Sequence, residues 1–167
     1  MTIFLCGFMG CGKSTIGKLL AKNLGLSYID SDEFIVTSQE MSIPEIFEKY
    51  GEPHFRKIEA EAIKSLCQKN AVISCGGGAM LNPDTADFAN KNGIVVFLDV
   101  PFEVCYERIK DDPNRPIASS GDVNSLRQLF DSRYPIYLRH SKIQVDCNNS
   151  PLKCSELIKS EIHTLSR

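Results

Sequence analysis

The chain lacks long apolar runs and clustered charge. No apolar run in its 167 residues approaches the roughly 20 residues that a membrane-crossing helix needs. Lysine and arginine form no tract and the net charge is −2, which disfavours nucleic-acid binding through a general electrostatic surface. The N-terminus has no basic segment, and its apolar stretch stops at a glycine-rich loop. A signal peptide has a basic segment followed by a longer apolar stretch, so we expect that the N-terminus is not one. We expect a cytoplasmic protein that binds neither membranes nor nucleic acid.

Paired cysteines and repeats are also missing. The seven cysteines form no C-x-x-C pair, and their odd number and scatter argue against a disulfide framework and a zinc site. Free thiols in a reducing compartment are the simple interpretation. With 43% hydrophobic and 24% charged residues, the chain predicts one globular domain over 1–167, which we expect to act as a monomer.

The most specific motif is the segment 7–14, Gly-Phe-Met-Gly-Cys-Gly-Lys-Ser, which matches the phosphate-binding loop G-x-x-x-x-G-K-[ST]. An apolar strand precedes the loop and a helical pattern follows it, so backbone N–H groups and the helix N-terminus would surround a phosphate. Lys13 can reach the β- and γ-phosphates, and the Ser14 hydroxyl can bind Mg²⁺. The glycine spacing does not fit a dinucleotide-binding fingerprint. The predicted nucleotide contacts in the loop are Gly10, Cys11, Gly12, Lys13, Ser14 and Thr15.

Strand and helix patterns alternate along the chain. Apolar runs predict strands at 3–6, 26–29, 71–75, 94–98 and 143–145. The predicted helices lie at about 13–24, 33–39, 43–50, 53–69, 83–92, 101–110, 124–138 and 151–165. This alternation predicts a three-layer α/β/α fold around a five-stranded parallel sheet.

Two segments do not fit a simple alternation of strands and helices. The long helical stretch after the second strand predicts an inserted substrate-binding subdomain at about 31–60. The polar segment 111–123 is rich in Pro, Ser and Gly and contains Arg115. It is either a plain surface loop or a mobile lid over a phosphate site.

Polar and glycine residues follow the predicted strands. Asp30 and Asp32 come after the second strand, at the edge where ligands bind in open parallel sheets. One carboxylate could serve a metal and the other a substrate hydroxyl, or they could simply cap a helix. Glycines 76–78 follow the third strand and allow close approach of backbone to a ligand, unless they form only a flexible turn. Asp99, beside Pro101, fits an ordinary strand-to-helix junction.

Two arginines could bind a carboxylate if the fold brings them together. Arg56 lies on a predicted helix with Glu59 three residues further on, a spacing that also fits a surface ion pair. Arg133, in the segment Arg-Tyr-Pro-Ile-Tyr, has the same ambiguity. Guanidinium groups pair with carboxylates in a bidentate manner, so convergence would favour a carboxylate ligand.

These motifs together resemble shikimate kinases over about residues 2–160. The matching segments are G-F-M-G-C-G-K-S-T at 7–15, D-S-D at 30–32, F-R-K-I-E at 55–59, G-G-G at 76–78, R-P at 115–116 and R-Y-P-I-Y at 133–137. The resemblance implies a P-loop fold of the nucleoside monophosphate kinase type. It also implies transfer of the γ-phosphate of ATP to the 3-hydroxyl of shikimate, in the pathway to chorismate and aromatic amino acids.

The resemblance also assigns residues to the acceptor. It implies that Asp32 binds the shikimate hydroxyls next to the attacking oxygen. Arg56 and Arg133 would hold the shikimate carboxylate, beside Gly77 and Gly78. Phe47 and Phe55 match aromatic positions that pack beside the ring.

For the nucleotide, the resemblance implies that Ser14 binds Mg²⁺ directly and Asp30 binds it through water. Arg115 would reach the transferring phosphate, while Arg108 and the loop at 148–151 would flank the adenine. Lys13, Asp32 and Arg115 are therefore the predicted catalytic residues.

Three alternatives stay open at this point. The chain could phosphorylate another small metabolite, such as a sugar acid or a nucleotide, because a phosphate would also attract the arginines. A GTPase-type switch should carry N-K-x-D, and the segment 90–93, Asn-Lys-Asn-Gly, fails at its last position. A catalytically dead nucleotide-binding regulator is disfavoured because the predicted catalytic and metal residues are intact.

Overall fold

Five parallel strands form the centre of the molecule. A computed structural model describes residues 1–112 and 122–165. The strands are β1 (Ile3–Cys6), β2 (Ser27–Asp30), β3 (Ala71–Ser74), β4 (Ile94–Asp99) and β5 (Ile143–Asp146). All are parallel, in the order β2-β3-β1-β4-β5. The predicted α/β class and five-stranded parallel sheet are confirmed.

The described residues contain eight α-helices. They are α1 (Lys13–Leu24), α2 (Ser31–Gln39), α3 (Ile43–Tyr50), α4 (Glu52–Leu66), α5 (Pro83–Asn92), α6 (Phe102–Ile109), α7 (Val123–His140) and α8 (Pro151–Leu165). A single 3₁₀ turn at Ala79–Leu81, which the sequence pattern does not predict, follows the three glycines. All four residues of β1 and of β3 are buried, as in strands covered on both faces. The predicted helix boundaries agree with the observed ones to within three residues.

The sheet order places the phosphate loop centrally. The chain forms β2 and β3 on one side of β1 and then crosses to form β4 and β5 on the other side, so β1 lies at the switch point of the sheet. Ligands bind at this point in open α/β sheets, beyond the carboxyl ends of the strands. The loop after β1, Asp30 at the end of β2 and the glycines after β3 therefore share one edge.

Helices α2, α3 and α4 enclose a second, smaller core. It consists of Ile35, Ile46, Phe55, Ile58 and Ala62, all buried. This core lies largely within the predicted subdomain at 31–60, and its status as a separate unit stays a prediction. Of the predicted lid at 111–123, residues 113–121 lie outside the described residues, and Arg115 is among them.

All seven cysteines are free and buried. No cluster of three or more metal-ligating side chains occurs in residues 1–112 and 122–165. Among the helices of that same part, none combines the length and the apolar character needed to cross a bilayer.

Candidate active site

The loop after β1 has the backbone of a phosphate site. Gly10 has φ +81°, and a Cβ there would lie 2.7 Å from the carbonyl oxygen of Cys105 in α6, so no side chain fits. Gly12 caps α1 and leaves the first N–H groups of that helix uncapped by any side chain. Lys13 Nζ donates to the carbonyl oxygens of Gly7 at 2.8 Å and of Phe8 at 3.1 Å. In this conformation the lysine therefore lies along the loop.

A cavity of about 250 Å³, named the phosphate cavity, opens beside the loop. Its lining includes Gly10, Gly12, Lys13, Ser14, Thr15 and Arg108, all predicted nucleotide contacts. Arg108 Nη1 donates to the Gly10 carbonyl oxygen at 3.0 Å. A further cavity of about 220 Å³ is lined by Arg108, Asn149 and Pro151 among others, so the structure brings the predicted adenine-flanking groups together.

Cys11 differs from its neighbours in the loop. Its side chain is 1% exposed and lines neither of these two cavities. Its backbone N–H donates to the Phe8 carbonyl oxygen at 3.2 Å, inside the loop. The Cys11 side chain is thus buried under the loop, which it supports, and does not line the cavity beside the loop.

A third cavity, of about 330 Å³, is named the acceptor cavity because the residues predicted to bind the acceptor line it. It gathers side chains from β2, α2, α4 and α7 together with the glycines after β3. The predicted site residues in its wall are Lys13, Ser14, Asp30, Asp32, Arg56, Gly77, Gly78 and Arg133. Lys13 and Ser14 line both this cavity and the phosphate cavity, so the two spaces meet at these residues.

Asp30 and Asp32 differ in environment. Asp30 is the N-cap of α2, and its Oδ1 accepts from the N–H groups of Asp32 at 2.9 Å and Glu33 at 3.3 Å. Burial raises the pKa of Asp32, and the Asp30 carboxylate raises it further, while Lys13 and Arg56 lower it. Asp32 therefore holds a proton more tightly than an exposed aspartate.

Arg56 pairs with Glu59 at the cavity wall. Arg56 Nη1 lies 2.8 Å from Glu59 Oε2, and Arg56 Nη2 lies 3.3 Å from Glu52 Oε1. Glu59 is 3% exposed, so this is not the surface ion pair that the spacing alone allows. Burial raises the pKa of Glu59, although the hydrogen bond and charge of Arg56 lower it.

The glycines after β3 let two guanidinium groups approach the backbone. A Cβ on Gly78 would lie 2.0 Å from Arg56 Nη1, and a Cβ on Gly77 would lie 3.3 Å from Arg133 Nη1. Within the described residues, the N–H groups of Gly77 and Gly78 donate to no protein acceptor. Two guanidinium groups and two free N–H donors form a site for a carboxylate.

An apolar wall completes the acceptor cavity. Phe47 and Phe55 line it, with their ring centroids 4.7 Å apart, next to Ile43 and Met9. A ligand of this cavity thus meets flat apolar surface on one side and charged groups on the other. That combination fits a small ring with hydroxyl and carboxylate substituents.

Sequence reasoning did not assign a site role to two residues in this wall. The sequence indicates Glu59 only as a possible partner of Arg56. The apolar run 71–75 predicts Ser74 as part of a strand. In the structure Ser74 lines the acceptor cavity, and its buried Oγ has no hydrogen-bond partner within the described residues. Asp99 accepts from Tyr134 and Gln144, which agrees with its interpretation as a structural junction.

Comparisons with known proteins show the family and the fold. The family model for shikimate kinase matches residues 9–164. A shikimate kinase from Aquifex aeolicus is 45% identical over 138 residues, which cover 82% of each chain. One from Sulfurihydrogenibium is 38% identical over 162 residues, 96% of each chain. The structure of the Acinetobacter baumannii shikimate kinase in complex with shikimate superposes with a TM-score of 0.89 at 34% identity, covering 98% of this chain and 93% of that one.

The family match spans nearly all of the chain, and the relatives match it over most of their own length. The chain belongs to the shikimate kinase family.

Proposed function

We propose that this chain transfers the γ-phosphate of ATP to the 3-hydroxyl of shikimate. The observation that carries the proposal is the junction of two cavities at Lys13 and Ser14. One cavity has the donors of a phosphate site, and the other has arginines, aspartates and aromatic rings. A phosphate held at the junction is presented directly to an acceptor in the second cavity.

In this arrangement the acceptor is held at both ends. Arg56, Arg133 and the N–H groups of Gly77 and Gly78 bind the carboxylate. The ring of shikimate lies against Phe47 and Phe55. Asp32 then binds the shikimate hydroxyls next to the attacking oxygen, where it orients the attacking hydroxyl and accepts its proton. The raised pKa of Asp32 makes it a better base than an exposed aspartate.

On the nucleotide side, the chain supplies positive charge and donors. The loop N–H groups and Lys13 bind the phosphates, and Arg108 lies where the adenine end begins. Phosphoryl transfer depends mainly on such positioning and charge neutralisation. Arg115, which lies outside the described residues, is proposed as a third catalytic residue, with Lys13 and Asp32, on the family resemblance.

The residues at the junction also fit Mg²⁺. They offer two hard oxygen donors: the Ser14 hydroxyl and Asp30 Oδ2, which accepts no hydrogen bond within the described residues. Mg²⁺ typically keeps several waters and takes only one or two protein ligands beside phosphates. Ser14 would hold the ion directly and Asp30 through water. When bound, Mg²⁺ neutralises charge on the phosphates.

Steady-state ADP release with different acceptors tests this proposal. Shikimate, gluconate and nucleoside monophosphates are compared at matched concentrations with ATP and Mg²⁺. We expect kcat/KM for shikimate to exceed that for each other acceptor by at least about a hundredfold, because only shikimate combines the carboxylate, ring and hydroxyls that this cavity fits. Comparable rates with gluconate or a nucleotide would contradict the assignment of the acceptor.

A further inference from the structure

One face of α7 carries three polar side chains toward the glycine segment. Arg133, Tyr137 and His140 have the spacing i, i+4, i+7, so they share one side of the helix. Tyr137 Oη donates to the Gly77 carbonyl oxygen at 2.6 Å, and His140 Nδ1 lies 2.8 Å from the Met80 carbonyl oxygen. These two contacts tie the helix that carries Arg133 to the backbone that lines the acceptor cavity.

The hydroxyl of Tyr137 lies where these parts meet. The residue is 2% exposed, and its ring packs on Phe97 with centroids 5.5 Å apart. A Cβ on Gly77 would lie 3.3 Å from Arg133 Nη1 and 3.9 Å from Tyr137 Oη, so both groups approach the same point of the backbone. Burial raises the pKa of Tyr137, while the charge of Arg133 and a hydrogen bond with it lower this pKa. The phenol thus stays protonated and donates.

The peptide geometry links this hydrogen bond to the cavity. The Gly77 carbonyl and the Gly78 N–H belong to one trans peptide, so they point in opposite directions. Tyr137 holds the carbonyl on its own, buried side and thereby turns the Gly78 N–H away from itself. That N–H has no protein acceptor within the described residues, and Gly78 lines the acceptor cavity.

We infer that Tyr137 is a positioning residue for the acceptor carboxylate, because it orients the Gly78 N–H next to the Arg133 guanidinium. The inference rests on the proposed function and adds a residue that touches neither substrate nor nucleotide. Without the hydroxyl, the Gly77 carbonyl loses a buried partner and the peptide is free to reorient.

The kinetic consequence follows from where the carboxylate lies. The carboxylate is distant from the reacting hydroxyl, so its contacts are the same in the ground state and the transition state. Loss of such uniform binding raises KM for that substrate and leaves kcat unchanged. The cavity beside the phosphate-binding loop does not include Tyr137 or Arg133 in its lining, so KM for ATP is unaffected.

The test is Tyr137→Phe, which removes the hydroxyl and keeps the packed ring. We expect KM for shikimate to rise about tenfold, while kcat and KM for ATP stay within about twofold. The matched control is Tyr134→Phe, three positions earlier in α7. The Tyr134 hydroxyl donates to Asp99 Oδ2 at 2.9 Å instead of the glycine segment, so this variant should leave all three constants within about twofold.

A double-mutant cycle with Arg133→Lys separates positioning from general destabilisation. If Tyr137 acts through the carboxylate contacts, its effect on KM for shikimate should fall below about threefold in the Arg133→Lys background. Independent, multiplicative effects would overturn the inference, as would an unchanged KM in Tyr137→Phe alone. A wild-type enzyme that does not phosphorylate shikimate would overturn the proposed function and this inference together. An active wild type with an unaffected Tyr137→Phe variant would overturn the inference alone.

Discussion

Because Gly78 has no side chain, the guanidinium of Arg56 can occupy the space next to its Cα. A Cβ at this position would lie 2.0 Å from Nη1 and 2.5 Å from Cζ of Arg56. The backbone φ of Gly78 is −95°, which any residue adopts, so close approach and not backbone conformation requires glycine here. The obstructing atoms are the end of a flexible side chain, so a new side chain would displace Arg56 and leave the fold intact.

We therefore expect Gly78→Ala to impair shikimate binding without unfolding the protein. KM for shikimate should rise at least about thirtyfold, since a charged contact to the carboxylate is lost, while KM for ATP stays within about twofold. Gly77→Ala is the matched control, because its Cβ would lie 3.3 Å from Arg133 Nη1 and needs only a small adjustment. Steady-state kinetics and thermal denaturation check this; equal effects of the two variants would contradict it.

Asp32 is a half-buried carboxylate whose charge opposes folding. Its pKa is raised by burial and by Asp30, so the folded state binds its proton more tightly than the unfolded state does. The stabilising contribution of protonated Asp32 is complete below the ordinary aspartate pKa and is lost as the pH rises through its folded pKa. At neutral pH the ionised group therefore lowers the free energy of unfolding.

Asp32→Asn should accordingly separate stability from activity. At pH 7 we expect a higher Tm than that of the wild type, and a turnover lower by a factor of about 10² to 10⁴. The difference in Tm should vanish as the pH falls below the ordinary aspartate pKa, where wild-type Asp32 is neutral. Thermal melts across pH measure this, with exposed Glu161→Gln as the control that should show no such change. A lower Tm for Asp32→Asn at pH 7 would refute the electrostatic argument.

Helix α4 shows how far local patterns predict the fold and where they stop. Its apolar positions, Phe55, Ile58, Ala62 and Leu66, have the spacing of one helix face and are all buried. The i, i+3 spacing of Arg56 and Glu59 predicted contact as well, but not burial. Glu59 is buried because Asp32 and the backbone at Gly76 pack beside it, and these belong to distant parts of the sequence.

The same distinction holds for the rest of the candidate site. Positions at the carboxyl ends of strands, such as Asp30 and the glycines after β3, were predictable because parallel strands end at one edge of a sheet. Ser74 and Tyr137 were not assigned, since a serine in a strand and a tyrosine in a helix carry no local sign of what they contact. Their roles depend on the packing of α1 and α7 against β3 and the segment after it.

Within α4, the buried and exposed partners of Arg56 should contribute unequally. Glu59→Gln keeps an oxygen acceptor but removes the charge that holds Arg56 in place, so we expect KM for shikimate to rise about three- to tenfold. Glu52→Gln removes the exposed partner, whose side chain is 63% exposed, and should change KM by less than about twofold. Kinetics of the two variants side by side check this. A larger effect at Glu52 would mean that the exposed pair, and not the buried one, positions Arg56.

On the scale of the whole molecule, the phosphate-binding loop after β1 lies where the phosphate cavity meets the acceptor cavity. β1 ends between the phosphate cavity and the acceptor cavity, and the two residues common to both walls, Lys13 and Ser14, begin α1. Lys13 Nζ is held by the Gly7 and Phe8 carbonyls. A bound γ-phosphate draws this lysine to the junction and adds hydrogen-bond acceptors there for the shikimate hydroxyl. Occupation of one cavity should thus favour occupation of the other.

We expect the affinity for shikimate to rise about five- to tenfold when a non-hydrolysable ATP analogue saturates the enzyme. Because coupling between two sites is reciprocal, the affinity for the analogue should rise by the same factor when shikimate is bound. Isothermal titration calorimetry with each ligand, in the presence and absence of the other, measures both factors. ADP is the matched control: it fills the loop but lacks the γ-phosphate, so its coupling with shikimate should be weaker. If ADP and the analogue raised the affinity for shikimate equally, the coupling would come from the loop as a whole and not from a phosphate at the junction of Lys13 and Ser14.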